Sequence, residues 1–246
     1  MSKFIITAVV FSFLVMSCSI KSNTDTVSTT GCTFSSSGLT KTTAYSFDPN
    51  TFDVCEQFDG ATTRWTGMAG VSHTTIALPT VSFKSGEACG QCYSITGPSG
   101  TIVARVADIC PSCPSDTIDM DVAGFNSITN GGGTGIYNVT ITPISCGSSS
   151  DIRVFMNSAS NPFYFNMSFA NHNTPIQKAE VSINSGAYQN LSRVSNTGAY
   201  EITNGGSVTG TQQVRLTDIF DQTVTMSFDS TSGAATNSTS QFGNCP

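Results

Sequence analysis

Val106-Ala107-Asp108-Ile109-Cys110-Pro111-Ser112-Cys113, followed five residues later by Ile118-Asp119-Met120-Asp121, decides how this chain is read. The run that leads into it, Thr101-Ile102-Val103-Ala104-Arg105-Val106, is rich in β-formers. Downstream, 122–128 has the length and composition of one short helix, and Gly131-Gly132-Gly133 breaks the chain after it. Then Ile136-Tyr137-Asn138-Val139-Thr140-Ile141 alternates, with Tyr137, Val139 and Ile141 on one face. Upstream stands Gly86-Glu87-Ala88-Cys89-Gly90-Gln91-Cys92-Tyr93. Short strands separated by turns, with two aspartates among cysteines, are the signature of this region.

The cysteines set the organisation of the whole chain. Of nine, Cys18 falls in a leader that reads as a signal peptide over 1–19, with Lys3 ahead of the apolar run 4–16 and small residues at Ser17 and Ser19. Val15-Met16-Ser17-Cys18 resembles a lipoprotein box only faintly, since Met16 fits it poorly. The other eight are Cys32, Cys55, Cys89, Cys92, Cys110, Cys113, Cys146 and Cys245, an even set that in an exported chain favours disulfides. Cys89-x2-Cys92 and Cys110-x2-Cys113 also have zinc-ribbon spacing, but export into an oxidising compartment argues against zinc, and no metal or other cofactor is expected. Cysteine density drops after Cys146, and Gly147-Ser148-Ser149-Ser150 is a flexible punctuation, so two domains are expected, 31–146 and 151–246.

The second region repeats alternating strands at turn-separated intervals: 151–156, 163–169, 178–183, 213–216 and 223–228. That pattern predicts a β-sandwich. In the second of these strands Phe165, Met167 and Phe169 share the face expected to point inward; Tyr164, Asn166 and Ser168 share the other, and Phe163 stands at the entrance.

Composition narrows the partners. A net charge of −6 with only 11% charged residues argues against nucleic acid or acidic lipid and leaves room for a neutral ligand. No segment after the leader is apolar enough for a membrane anchor. Sequons at Asn138, Asn166, Asn190 and Asn237 fit a secreted glycoprotein.

The three spaced motifs of the first region, CGQCY at 89–93, ADICPSC at 107–113 and IDMD at 118–121 followed by Ala123-Gly124-Phe125, together resemble expansins. The second region is more diffusely similar to the carbohydrate-binding domain of that family. The resemblance implies an all-β chain: a six-stranded double-psi β-barrel followed by an immunoglobulin-like β-sandwich. It also implies a monomer outside the cell that binds cellulose or a related wall or matrix polysaccharide and loosens it without hydrolysis.

Carried over position by position, the family's groove aspartates match Asp119 and Asp108, its threonine matches Thr43 (followed here by Ala44 rather than an aromatic), and Tyr45 completes the set. An aromatic sometimes found two positions after the strand aspartate is here Cys110. The family's aromatic platform on the sandwich would begin with Phe163 and Tyr164; the third position falls near 194–197, which is polar, with Tyr188 and Tyr200 as replacements. The family pattern also implies Cys92 paired with Cys146, Cys89 with Cys55 rather than Cys32, Cys110 with Cys113, and Cys32 with Cys245.

The residues themselves leave rival roles in view. A carboxylate in a groove can accept hydrogen bonds from sugar hydroxyls, but it can as readily cap a turn. Asp121 is expected to face solvent. Hydrolysis by inversion needs two carboxyls facing each other across the bond, about 6.5–9.5 Å apart, and only Asp48 offers a partner from the start of the barrel. Trp65, His73 and His172 read as structural. Three functions therefore compete: loosening, hydrolysis, and binding alone, with a barwin-like defence role more distant.

Overall fold

The computed structural model describes residues 38–46, 54–55, 74–131, 134–231 and 236–245. Asp48, Trp65, His73 and Cys32 lie outside the described residues.

The first part forms one sheet from β1 (Lys41–Tyr45), β2 (Thr75–Pro79), β3 (Cys92–Gly97), β4 (Gly100–Cys110), β5 (Thr117–Asp121), β6 (Tyr137–Asn138) and β7 (Thr140–Ile144). Their order is β6-β1-β5-β2-β4-β3-β7. β6 and β7 sit at opposite ends of that order, yet only Val139 separates them in sequence. One run, 137–144, therefore pairs with β1 on one side and β3 on the other, and the sheet curls closed on itself. Counting that run once gives the six strands expected. β1 runs parallel to β5 and β2 parallel to β4, while β2 and β5 are antiparallel.

Period-two alternation fills the barrel. Thr42, Ile76, Leu78, Ile95, Ala104, Val106, Ile118 and Met120 are buried. A short helix, α1 (Thr80–Phe83), follows β2, and α2 (Val122–Thr129) follows β5. Asp121 is not solvent-facing. It is buried and N-caps α2, accepting from the Gly124 amide at 2.8 Å and from the Thr75 amide at 2.7 Å. Asp121 stands in register with Tyr45, two places along β5 from Asp119, but its carboxylate is taken up by these backbone amides.

The second part has two facing sheets. Its strands are β8 (Arg153–Met156), β9 (Tyr164–Ala170), β10 (Ile176–Ser182), β11 (Tyr188–Asn190), β12 (Ser192–Arg193), β13 (Ala199–Thr203), β14 (Thr211–Asp218), β15 (Thr223–Asp229) and β16 (Thr236–Asn237). One sheet is ordered β11-β10-β14-β15 and the other β12-β13-β9-β8-β16. Phe165, Met167 and Phe169 pack between them as expected, with the Phe165 ring edge-on to Phe228 at 5.8 Å. Ser168 was expected to be exposed. It is buried instead, accepting from Asn157 Nδ2 at 3.3 Å.

Three disulfides match the expected pairs: Cys55–Cys89, Cys92–Cys146 and Cys110–Cys113. The four sulfurs with zinc-ribbon spacing are thus divided among three bridges. Cys245 is also disulfide-bonded, and its expected partner is Cys32.

The two parts dock through the segment after β12. Asn196 N donates to Ser85 O at 3.1 Å, Gly198 N to Val54 O at 3.0 Å, and Arg193 Nη1 to Gly86 O at 3.0 Å. Backbones approach so closely that a Cβ on Gly86 would stand 2.1 Å from Thr197 O, and one on Gly198 2.5 Å from Cys55 O. Gly86 also has φ +100°, a conformation other residues rarely adopt. His172 is buried at this joint. Its Nδ1 bonds the Thr174 carbonyl at 2.9 Å, and burial, reinforced by the Arg105 and Arg193 charges, lowers its pKa to about 3.

Candidate polysaccharide-binding faces

The register of four strands builds the first face. Thr43 on β1 stands opposite Asp119 on β5, Asp119 opposite Ala77 on β2, and Ala77 opposite Asp108 on β4. Residues in register across a sheet share a face; a register shift between Ile76 and Ala77 brings Asp108 beside Ala77, although Val106, of the same parity on β4, packs in the core. Thr43-Asp119-Ala77-Asp108 is therefore a lateral row on the outside of the barrel. The small Ala77 side chain makes the row's centre low, with a carboxylate on either side. Two strand spacings set the aspartate Cα atoms about 9.5 Å apart. The carboxylates project side by side from one surface, not toward each other across a cleft. They also come from strands separated by β2, not from neighbouring elements.

The two aspartates differ in what holds them. Asp119 is half-exposed and accepts the Thr43 hydroxyl at 2.8 Å. Asp108 accepts from its neighbour's amide, Ile109 N, at 2.8 Å and from Val54 N at 3.4 Å. Burial raises its pKa above the usual carboxylate value, and those two amides pull in the opposite direction. Its bonds thus include the segment that carries Cys55 and meets the sandwich, a structural duty Asp119 does not share. Tyr45, one step along the same face of β1 from Thr43, shares a 3.3 Å hydrogen bond with the Thr75 hydroxyl. Cys110 lies on the Asp108 face of β4, so the Cys110–Cys113 disulfide borders the row beside Asp119.

The second face is the outer surface of the β12-β13-β9-β8-β16 sheet. Phe163 at the entrance to β9 is 57% exposed, so it is not a core residue. Tyr164 is half-exposed; its hydroxyl donates to Glu201 and accepts from Asn166 Nδ2 at 3.2 Å. The Glu201 bond raises the phenol pKa. The proposed replacements fail to extend this face. Tyr200 points inward, 3% exposed, with its hydroxyl on Ile176 O at 3.1 Å, and Tyr188 is on the other sheet under Arg215. The polar stretch at 194–197 is spent on the joint with the barrel. A residue that sequence reasoning missed, Phe155 on β8, opposes Ser168 and so faces outward with Tyr164. The Arg153 guanidinium covers its ring at 4.8 Å and keeps it 9% exposed. Alternation against the buried Val154 was the available signal.

Among the sequons, Asn138, Asn190 and Asn237 are exposed, whereas Asn166 is half-buried and tied to Asn157 and Tyr164.

No family model matches the chain. Expansin-like protein 2 of Dictyostelium discoideum is 30% identical over 135 residues, which is 52% of this chain and 33% of that protein. Expansin-like protein 8 of the same organism is 32% identical over 119 residues, 44% of this chain and 24% of that protein. This chain is similar to expansin-like proteins. These matched stretches span a third or less of the relatives' own length. Crystal structures of the Clavibacter michiganensis expansin, one apo and one of a variant in complex with cellohexaose, share the fold at TM-score 0.68 and 17% identity. Each comparison covers 82% of this chain and 95% of the bacterial one. The expansin fold thus extends over barrel and sandwich together.

Proposed function

We propose that this expansin-like chain is a secreted monomer that binds cellulose or a related glucan along the outer barrel face and loosens it without hydrolysis. The observation that carries the reading is the row Thr43-Asp119-Ala77-Asp108. An extended, open face with a carboxylate on each side of a low centre can accept hydrogen bonds from hydroxyls along a glucan chain. Two carboxylates side by side on one surface leave no opposed pair to act as acid and base on one bond. Many weak contacts that favour separated strands over crystalline ones would shift that balance without covalent chemistry.

In this reading 1–19 is the signal peptide, 31–146 and 151–246 are the functional units, and the sandwich contributes through Phe163 and Tyr164. Glycans would occupy Asn138, Asn190 and Asn237. Asn166 would remain bare, because a glycan there displaces its bonds to Asn157 and Tyr164.

The test holds cellulose films under constant load with purified protein, recording extension and soluble sugar together. Extension without sugar release is expected. Sugar release that rises with time would make the protein a hydrolase, and binding with no extension would make it a matrix-binding protein.

A further inference from the structure

We propose that the Cys110–Cys113 disulfide is a reducible gate over a metal site, in which both sulfurs and the Asp119 carboxylate hold a thiophilic divalent ion such as Zn²⁺ or Cd²⁺. The three ligand atoms lie within 4.8 Å of one another. Two come from the end of β4 and the turn after it, the third from β5, so the cluster bridges separate elements. Asp119 Oδ1 takes the Thr43 hydroxyl, and among the described residues no hydrogen bond engages Oδ2. Two sulfurs and one carboxylate oxygen around a tetrahedral ion leave one position for water, the arrangement of an open zinc site.

Accessibility sets this bridge apart from the two buried ones. Cys110 and Cys113 are both half-exposed, on a Cys-Pro-Ser-Cys turn at the surface. The sulfurs of the other two bridges described are buried: Cys55 and Cys89 are 7% and 8% exposed, Cys92 and Cys146 1% and 0%. Exchange requires a thiolate to reach a disulfide sulfur. A small extracellular dithiol would attack one sulfur of the pair to give a mixed disulfide, and its second thiol would then displace the protein sulfur. The reagent leaves as its own disulfide, and Cys110 and Cys113 each gain one electron and one proton. Binding of the ion then releases the two thiol protons. A small-molecule disulfide reverses the step by the same exchange.

The four-residue ring closes a turn that Cys113 N to Cys110 O, at 3.2 Å, also holds. Opening it should leave the barrel intact.

The experiment treats the full-length oxidised protein with limiting dithiothreitol under argon, alkylates one aliquot for peptide mapping, and titrates another with Cd²⁺ alone. Cys110 and Cys113 should be alkylated before the buried pairs Cys55–Cys89 and Cys92–Cys146. The reduced protein should bind one Cd²⁺ with a cadmium–thiolate ultraviolet band and an unchanged far-ultraviolet dichroism spectrum. Asp119→Asn should weaken binding at least tenfold, and Cys110→Ser with Cys113→Ser should abolish the band. The proposal is overturned if a buried pair opens first, if opening this pair unfolds the protein, if no band forms, or if Asp119→Asn binds Cd²⁺ as tightly as the unaltered chain.

Discussion

The outer face of the barrel and the outer face of the sandwich, the two surfaces of the proposed polysaccharide contact, are built unequally. The barrel face is set by backbone register: four strands deliver Thr43, Asp119, Ala77 and Asp108 in one line, and disulfides brace the strands around it. The sandwich face depends on side chains standing free, and few do. Phe163 is open, Tyr164 is bound to Glu201, and Phe155 lies under Arg153. Stacking needs an uncovered ring face, so in the proposed function recognition would fall mainly to hydrogen bonds on the barrel.

That inequality can be broken at its joint first. Gly86→Ala places a methyl against Thr197 O at a backbone angle that disfavours any side chain. It should cost about 3 kcal/mol in thermal or urea denaturation and separate the two faces mechanically. A native Tm would show that the joint yields easily and that the faces are not held together.

Acid attacks the same place. The folded pKa of His172, about 3, lies below its ordinary value of 6.5. Its neutral form therefore contributes stability that is complete above pH 6.5 and is lost as pH falls toward 3. By pH 4 the loss is roughly 3 kcal/mol. His172→Asn, which keeps a donor for Thr174 O, should flatten that part of the pH–stability curve. An unchanged curve would mean that His172 does not carry the acid sensitivity.

The faces themselves differ by smaller amounts. Asp119→Ala should leave the fold intact, because among the described residues only Thr43 leans on this carboxylate, yet weaken cellulose binding about tenfold, near 1.4 kcal/mol. Phe163→Ala should weaken it only about threefold in the same pull-down, since one exposed ring contributes about 0.5–1 kcal/mol. Reversal of that order would move the main contact to the sandwich.

Much of the architecture could be read from the chain because its strands alternate. α2, β9 and β15 announce themselves by Val122-Ala123-Gly124-Phe125, by Phe165-x-Met167-x-Phe169 and by Val224-x-Met226-x-Phe228. β1 did not stand out, because Lys-Thr-Thr-Ala-Tyr reads as polar while Thr42 is fully buried. β2, five residues ending in proline, is central only because two long-range partners find it. Asp108 and Asp119 were visible through motif spacing, but their placement across Ala77 depends on pairings between β2, β4 and β5 that no local window contains. Tyr200 and Tyr188 were misjudged for the same reason: inward parity and pairing with the other sheet decide their places.

The central claim, that the barrel row rather than the sandwich aromatics performs the work, is tested most directly by constant-load extension of cellulose films. Wild type, Asp119→Ala and Phe163→Ala would be compared at equal bound protein. The account predicts extension from wild type and Phe163→Ala and none from Asp119→Ala. Full extension by Asp119→Ala together with none by Phe163→Ala would contradict it.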